Sequence, residues 1–220
     1  MSKTKTPQKA WLLRRTRRRV YNTLPLRKRY LIVTNGVTEA VYFENYHGPT
    51  GPSIKVVLRP KDPCRLVEKA IAERAARIRR GESIQETWVV FDRDVDVDRN
   101  GDYELFCRAL QMAKENGIEI GYSDDSFELW YVLHYQEVTT ALPRAELIRL
   151  IERHRGQKYE KGAKGNLYSE ILPNRSLAIK RAHKLLKKLN AGQPTINPST
   201  RVHILVERLI ANDPRFSANS

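Results

Sequence analysis

The run Trp88-Val89-Val90-Phe91-Asp92-Arg93-Asp94-Val95-Asp96-Val97-Asp98 constrains the fold more than any other stretch of the chain. An apolar segment ends abruptly in alternating carboxylates. A buried strand of an open α/β sheet delivers such residues to its carboxyl edge, where ligands of these sheets bind. Side chains two apart on a strand share a face, so Asp92 and Asp94 are expected to point the same way. Two carboxylates on one face repel unless a cation intervenes. A divalent ion such as Mg²⁺ or Mn²⁺ takes hard oxygen ligands of this kind. The stretch points to metal-dependent phosphate chemistry, provided that further ligands exist. A calcium loop is the rival reading, because Asp96-x-Asp98-x-Asn100-Gly101 matches half of an EF-hand. The twelfth position of such a loop wants a bidentate Glu, but here it is Cys107, and the segment before it reads as strand.

Other segments supply the rest of a sheet. Residues 30–34 read as a first buried strand, 54–58 as a second, 87–91 as a third and 118–122 as a fourth. Asn35-Gly36 makes a tight turn, and Thr38 is the expected cap of a short helix to about Tyr46. Asp62-Pro63 is a helix start, with Asp as N-cap and Pro in the first turn, and Gly81 ends that helix. An amphipathic helix is expected over 103–116, stopped by Gly117. Strands alternating with helices predict a largely parallel α/β sheet. After Ser123 helices dominate: 127–135, 143–155, 175–189, and 198–211 with Asn197-Pro198 as cap and first turn. Residues 156–174 read as a Gly- and Lys-containing loop. The expected division is a basic arm over 1–29, a core over 30–136 and a helical region over 137–220.

Charge is concentrated at one end. The net charge is +15, and residues 1–29 carry eleven Lys or Arg and no Asp or Glu. The arm's Arg14, Arg15, Arg17, Arg18 and Arg19 suit phosphate neutralisation on a nucleic acid; a solvated tail is the plainer alternative. Lys158, Lys161 and Lys164 either hold phosphates or are merely solvated. No apolar run approaches the ~20 residues of a membrane span, and no secretory signal is apparent. Two cysteines, Cys64 and Cys107, fit free thiols in a reducing cytoplasm better than a disulfide.

Glu128 sits among Phe127, Leu129 and Trp130. A carboxylate there needs a partner, and the end of the fourth strand brings it toward the edge that holds Asp92. The alternative is a solvent-facing carboxylate favoured by the helix dipole. His134, on the same helix, reads as packed more readily than as catalytic.

Four segments together resemble the RloB family, whose core is similar to the Toprim domain of primases, topoisomerases and OLD-type nucleases. They are 31–43 (LIVTNGVTEAVYF), 88–94 (WVVFDRD), 122–134 (YSDDSFELWYVLH) and 197–209 (NPSTRVHILVERL). The resemblance implies a Toprim-like Rossmannoid parallel sheet, with Asp92 and Asp94 binding Mg²⁺ or Mn²⁺. Glu39 falls on the family's Thr-Glu after the first turn, and Glu128 on its Phe-Glu-x-Trp motif. As catalytic and metal residues the resemblance implies Asp92, Asp94, Glu39 and Glu128, with Asn35 as a further ligand. It also implies a nuclease acting on DNA or RNA, tRNA included, beside an ATPase partner in an antiphage pair. The chain departs from the pattern at Asn35, where the family has Glu before Gly36. An amide oxygen can ligate a metal but carries no charge and cannot act as a base. Three outcomes follow from that residue: compensation by Glu39 or Glu128, a weak or inactive site, or a residue introduced to disarm a toxic enzyme. The sequence therefore supports two readings, a metal-dependent nuclease and a module that binds nucleic acid or a partner without cutting. A phosphotransferase using Asp-x-Asp is disfavoured, since that motif then ends the domain's first strand. Homodimerisation stays open.

Overall fold

Alternating apolar side chains along four short runs build the sheet. The computed structural model describes residues 28–47, 53–58, 62–93, 100–160, 167–188 and 197–217. Strands β1 (Arg29–Thr34), β2 (Ser53–Leu58), β3 (Glu86–Arg93) and β4 (Glu119–Asp124) pair all-parallel in the order β2-β1-β3-β4. Tyr30, Ile32, Trp88 and Val90 face one way and Leu31, Val33, Val89 and Phe91 the other. Such runs, buried on both faces, are characteristic of parallel sheets covered by helices.

Two separate cores result. Helices α2 (Pro63–Arg79) and α3 (Asn100–Glu115) cover the Leu31 face through Leu66, Val67, Ala70, Phe106, Ala109 and Ala113. Helix α1 (Val37–Glu44) covers the Tyr30 face, with Tyr42, Phe43 and Tyr46 at its centre. Helices α4 (Glu128–Tyr135), α5 (Arg144–Arg155), α6 (Leu167–Ile171), α7 (Arg175–Leu186) and α8 (Val202–Ala211) enlarge that second core, and α9 (Pro214–Ser217) follows. From β1 the chain crosses to β2 over the Tyr30 face through α1. It then returns to β3 over the opposite face through α2. At the carboxyl ends of β1 and β3 the chain departs in opposite directions, through α1 toward β2 and through α3 toward β4, which opens a crevice between them.

Local signals act as their chemistry dictates. The Asp62 carboxylate accepts from the amides of Cys64 and Arg65 at 2.8 and 3.1 Å, capping α2. Gly81 and Gly117 adopt φ of 82° and 59° after their helices, a region glycine enters without Cβ strain. Cys64 and Cys107 are free thiols. Among the described residues no helix is long and apolar enough to cross a membrane.

Several expectations are corrected. Thr38 does not cap α1; Gly36 occupies the cap position in an extended conformation, and Thr38 lies inside the first turn. Strand β3 runs on to Arg93, because Asp92 and Arg93 continue the ladder against Ser123 and Asp124. Asn197-Pro198, a cis peptide bond, does not open a helix. Helix α8 starts at Val202 instead, since the preceding backbone is committed to β4. Asp124 N donates to Ser199 O at 2.9 Å and Arg201 N to Tyr122 O at 2.8 Å. Part of the expected 156–174 loop is helical, as α6 and a 3₁₀ turn at Leu172–Asn174, where Ile171 is buried in the core. Residues 1–27, Asp94, most of the EF-hand-like run, Lys161 and Lys164 lie outside the described residues.

Candidate metal centre

Strand register carries the chain past Thr34 toward the end of β3. Thr34 pairs with Val90, so Asn35 and Gly36 emerge beside Phe91 and Asp92. The turn leads into α1, whose third residue is Glu39. Glu39 is almost fully buried, and its carboxylate folds back over Gly36. A Cβ at Gly36 would overlap that carboxylate. Glycine is needed here for close approach and not for its backbone angles, which are φ −109° and ψ 141°.

Asp92 reaches across to α4. Its Oδ1 accepts from the Phe127 amide at 2.7 Å. Phe127 is the cap residue of α4 and has no side-chain cap of its own, so Asp92 supplies one from another strand. Asp125 makes the preceding turn with φ 62°, a conformation Asp tolerates better than most residues. That turn places Glu128, which is completely buried, on the first turn of α4.

A cation from α5 ties the acids together. Arg144 Nη2 lies 3.1 Å from Asp92 Oδ2 and 3.2 Å from Glu128 Oε2. Tyr159 Oη donates to the other Glu128 oxygen at 3.2 Å. Arg144 opens α5 directly after Pro143, where the helix dipole disfavours a positive charge. The two carboxylates offset that penalty. Sequence reasoning does not single out Arg144; a positive charge in a first helical turn is a signal that it needs a partner, but not of which one.

Electrostatics follow from burial. Desolvation raises the Asp92 carboxyl to about 8; the neighbouring Glu39 charge adds to the rise, and Arg144 opposes it. Desolvation likewise raises Glu39 to about 7, against its own backbone amide and with Glu128 adding to the rise. The two buried carboxyls lie close enough to act on each other, so the charge of Glu39 opposes ionisation of Asp92. The structure thus brings Asp92, Glu39, Glu128 and Asn35 to one place. Asn35, Glu39, Asp92 and Arg144 border a cavity of about 620 Å³ whose wall also includes Gly36 and Arg93; Glu128 lies behind it, joined to it through Arg144.

Three oxygens of this group have no hydrogen-bonding donor: Asn35 Oδ1, Glu39 Oε1 and Glu128 Oε2, the last touched by Arg144 only as an ion pair. Buried acceptors are rarely left so, and with Asp92 they are oxygens of the kind a hard divalent cation takes, although with Arg144 in place the oxygens of Glu39, Asp92 and Glu128 do not all lie within 4.8 Å of one another. The residues fit such an ion once Arg144 yields its place. Lys158 is exposed on the segment before Tyr159, and no contact ties it to this cavity. His134 is packed, its Nδ1 2.8 Å from Trp130 O, and burial lowers its pKa to about 4.

The family model of RloB-like proteins matches residues 30–209, from β1 to the last turn of α8. The chain belongs to the RloB family. No curated protein and no solved structure matches it. The matched span of RloB takes in the acid cluster, Arg144 and the 197–201 segment that completes the sheet edge. In this RloB chain that segment also steadies the end of β3. Ser199 Oγ donates to Asp124 Oδ2 at 2.7 Å, and Arg93 Nη1 pairs with Asp124 Oδ1 at 2.9 Å.

Proposed function

We propose that this RloB-family chain is a metal-dependent nuclease that hydrolyses phosphodiesters in DNA or RNA. One observation carries the reading: acids from β3, α1 and α4 meet an amide from the β1 turn at a switch point, with buried oxygens lacking donors. A bound Mg²⁺ or Mn²⁺ would supply Lewis-acid stabilisation of phosphate charge and activation of water. Asn35, Glu39, Asp92 and Glu128 would hold it, joined by Asp94. Arg144, about one-third exposed at the cavity rim, is suited to a phosphate oxygen, since guanidinium binds phosphate in a planar, charge-assisted geometry. The arm's Arg14, Arg15, Arg17, Arg18 and Arg19, with Lys158, Lys161 and Lys164, would follow the nucleic-acid backbone. The family resemblance supports a toxic effector coupled to an ATPase partner in phage defence, and a Toprim-like origin for the site.

A second reading has its own support. Asn35 lacks the charge that the family pattern places there, and Arg144 already neutralises Asp92 and Glu128. The chain would then bind nucleic acid or its partner without cutting.

Incubation with labelled DNA and tRNA in Mn²⁺ separates the two. Cleavage lost in Asp92→Ala/Asp94→Ala supports the nuclease. Cleavage gained only on Asn35→Glu reveals a weakened site. Cleavage by no form, Asn35→Glu included, leaves the binding module.

A further inference from the structure

A second polar cluster lies away from the acidic edge, where α7 crosses α8. His183, on the last turn of α7, places its Nε2 3.0 Å from Glu207 Oε1. The His183 and His203 rings meet edge to face, with centroids 4.4 Å apart. His203 and Glu207 are four apart on α8 and so share a face of that helix. One donor atom from each of the three side chains lies within 4.8 Å of the others, and among the described residues this is the one such set of three.

His203 is the decisive member. Its side chain is completely buried, and neither Nδ1 nor Nε2 completes a hydrogen bond. The Thr200 backbone beside the ring favours its protonation but is not aligned to satisfy it. A neutral imidazole always has one donor and one acceptor, so two orphaned ring nitrogens in a protein interior require an explanation. His183 and Glu207 are each nearly half exposed, which leaves the cluster reachable from solvent on one side. Arg201 is the cation that acts on His203 from its own segment, and Lys184 is engaged by Glu137 at 2.8 Å.

We infer that His183, His203 and Glu207 form a site for a borderline transition-metal ion of the Zn²⁺ class. Two imidazoles and one carboxylate are a donor set zinc accepts, with a further position left for water. Hard Mg²⁺ prefers all-oxygen ligands, so the two sites of the chain differ in the ions they take. Ligation by His183 Nε2 would place its ring proton on Nδ1 and replace the contact with Glu207 by bonds from both side chains to the ion. The ion would join α7 to α8 directly after the 197–201 segment that supports β4.

The test uses the full-length chain without a histidine tag, stripped by chelator and dialysed. Titration with Zn²⁺ is expected to show one tight equivalent per chain and to raise the melting temperature. Co²⁺ is expected to give the visible absorption of a low-coordinate nitrogen–oxygen site. His183→Ala and Glu207→Gln change half-exposed side chains and leave the core intact; each should weaken Zn²⁺ binding by more than about tenfold and abolish the Co²⁺ signal. Glu39→Gln/Asp92→Asn, which alters only the acidic edge, should keep both. No tight Zn²⁺ uptake by the wild-type chain overturns the inference. So does equal uptake by His183→Ala and Glu207→Gln, or loss of uptake only in the Glu39→Gln/Asp92→Asn chain.

Discussion

The carboxylate of Glu39 occupies the space that a methyl group on Gly36 would need. A single hydrogen atom at position 36 therefore decides where a buried acid of the site can lie. Glu39 is buried and its charge bears on Asp92, while that of Glu128 bears on it, so a shift of its carboxylate is felt across the cluster.

Gly36→Ala should consequently displace Glu39 while leaving the sheet intact. An ångström-scale error in such a site costs about a hundredfold in rate. Cleavage in Mn²⁺ should fall by that order, whereas the melting temperature should move only slightly. A Gly36→Ala chain with undiminished cleavage would show that Glu39 takes no part in the reaction.

The acid pair makes stability depend on pH. In the folded chain Glu39 and Asp92 titrate at about 7 and about 8, well above the ordinary carboxyl range near 4. Raised carboxyls favour folding only while protonated. Their contribution is complete below about pH 4 and is lost as pH rises through 7 to 8. In chelator, the stability gap between wild type and Glu39→Gln should therefore shift against wild type over that window. Added Mg²⁺ should stabilise wild type more at about pH 8.5 than at about pH 6, because ligating carboxylates must be deprotonated. Denaturant titrations at both values measure this, and an equal Mg²⁺ effect at the two would count against a metal on these carboxylates.

Arg144 is the built-in counterion of the cluster. Arg144→Leu leaves Asp92 and the buried Glu128 without their ion pairs. Breaking a fully buried pair costs about 3–5 kcal/mol; with Arg144 partly exposed, about 1–3 kcal/mol is expected in chelator. Mg²⁺ should recover much of that loss by taking over the charge. Under the proposed nuclease function cleavage should remain low, since the guanidinium suited to a phosphate oxygen is gone. Urea unfolding with and without Mg²⁺ reads the first effect, and an unchanged midpoint in chelator would contradict it.

Asp124 joins three chain segments. Its buried carboxylate holds Arg93 at 2.9 Å and the Ser199 hydroxyl at 2.7 Å, and Arg93 also lies over the Phe106 ring at 5.2 Å. Asp124→Ala strands a largely buried guanidinium and should destabilise the chain by about 3 kcal/mol, whereas Ser199→Ala should cost about 1 kcal/mol. Unfolding in urea would show the difference. Equal losses for the two variants would mean that the Arg93 pair contributes nothing.

Much of this architecture is legible in the sequence because it is local. Apolar runs between turn residues mark the four strands, Asp62-Pro63 marks a helix start, and Asp92 at the end of an apolar run marks the carboxyl edge. The approach of Glu128 to the Asp92 edge follows from its place after the fourth strand, whereas that of Glu39 is visible only through the family resemblance; periodicity alone says nothing about which distant residues meet. Arg144 was missed for that reason, since its partners lie on β3 and α4 and its own neighbours do not reveal them. The Asn197-Pro198 reading failed differently. The local pattern is a good helix start, but the hydrogen bonds of β4 capture Ser199 and Arg201 first, and tertiary pairing overrides propensity. Ile171 made a helix out of an apparent loop by the same route, through burial in the core.

The hydroxyls of Ser123 and Thr200 meet at 2.8 Å although 77 residues separate them. Synthesis runs from the N-terminus, so β4 waits for its outer neighbour until most of the chain has left the ribosome. Asp124, and through it Arg93 beside Asp92, acquires its full set of contacts only at that late stage. The strand that carries Asp92 is thus braced, through Arg93 and Asp124, by a stretch that arrives 75 residues after Asp124 itself.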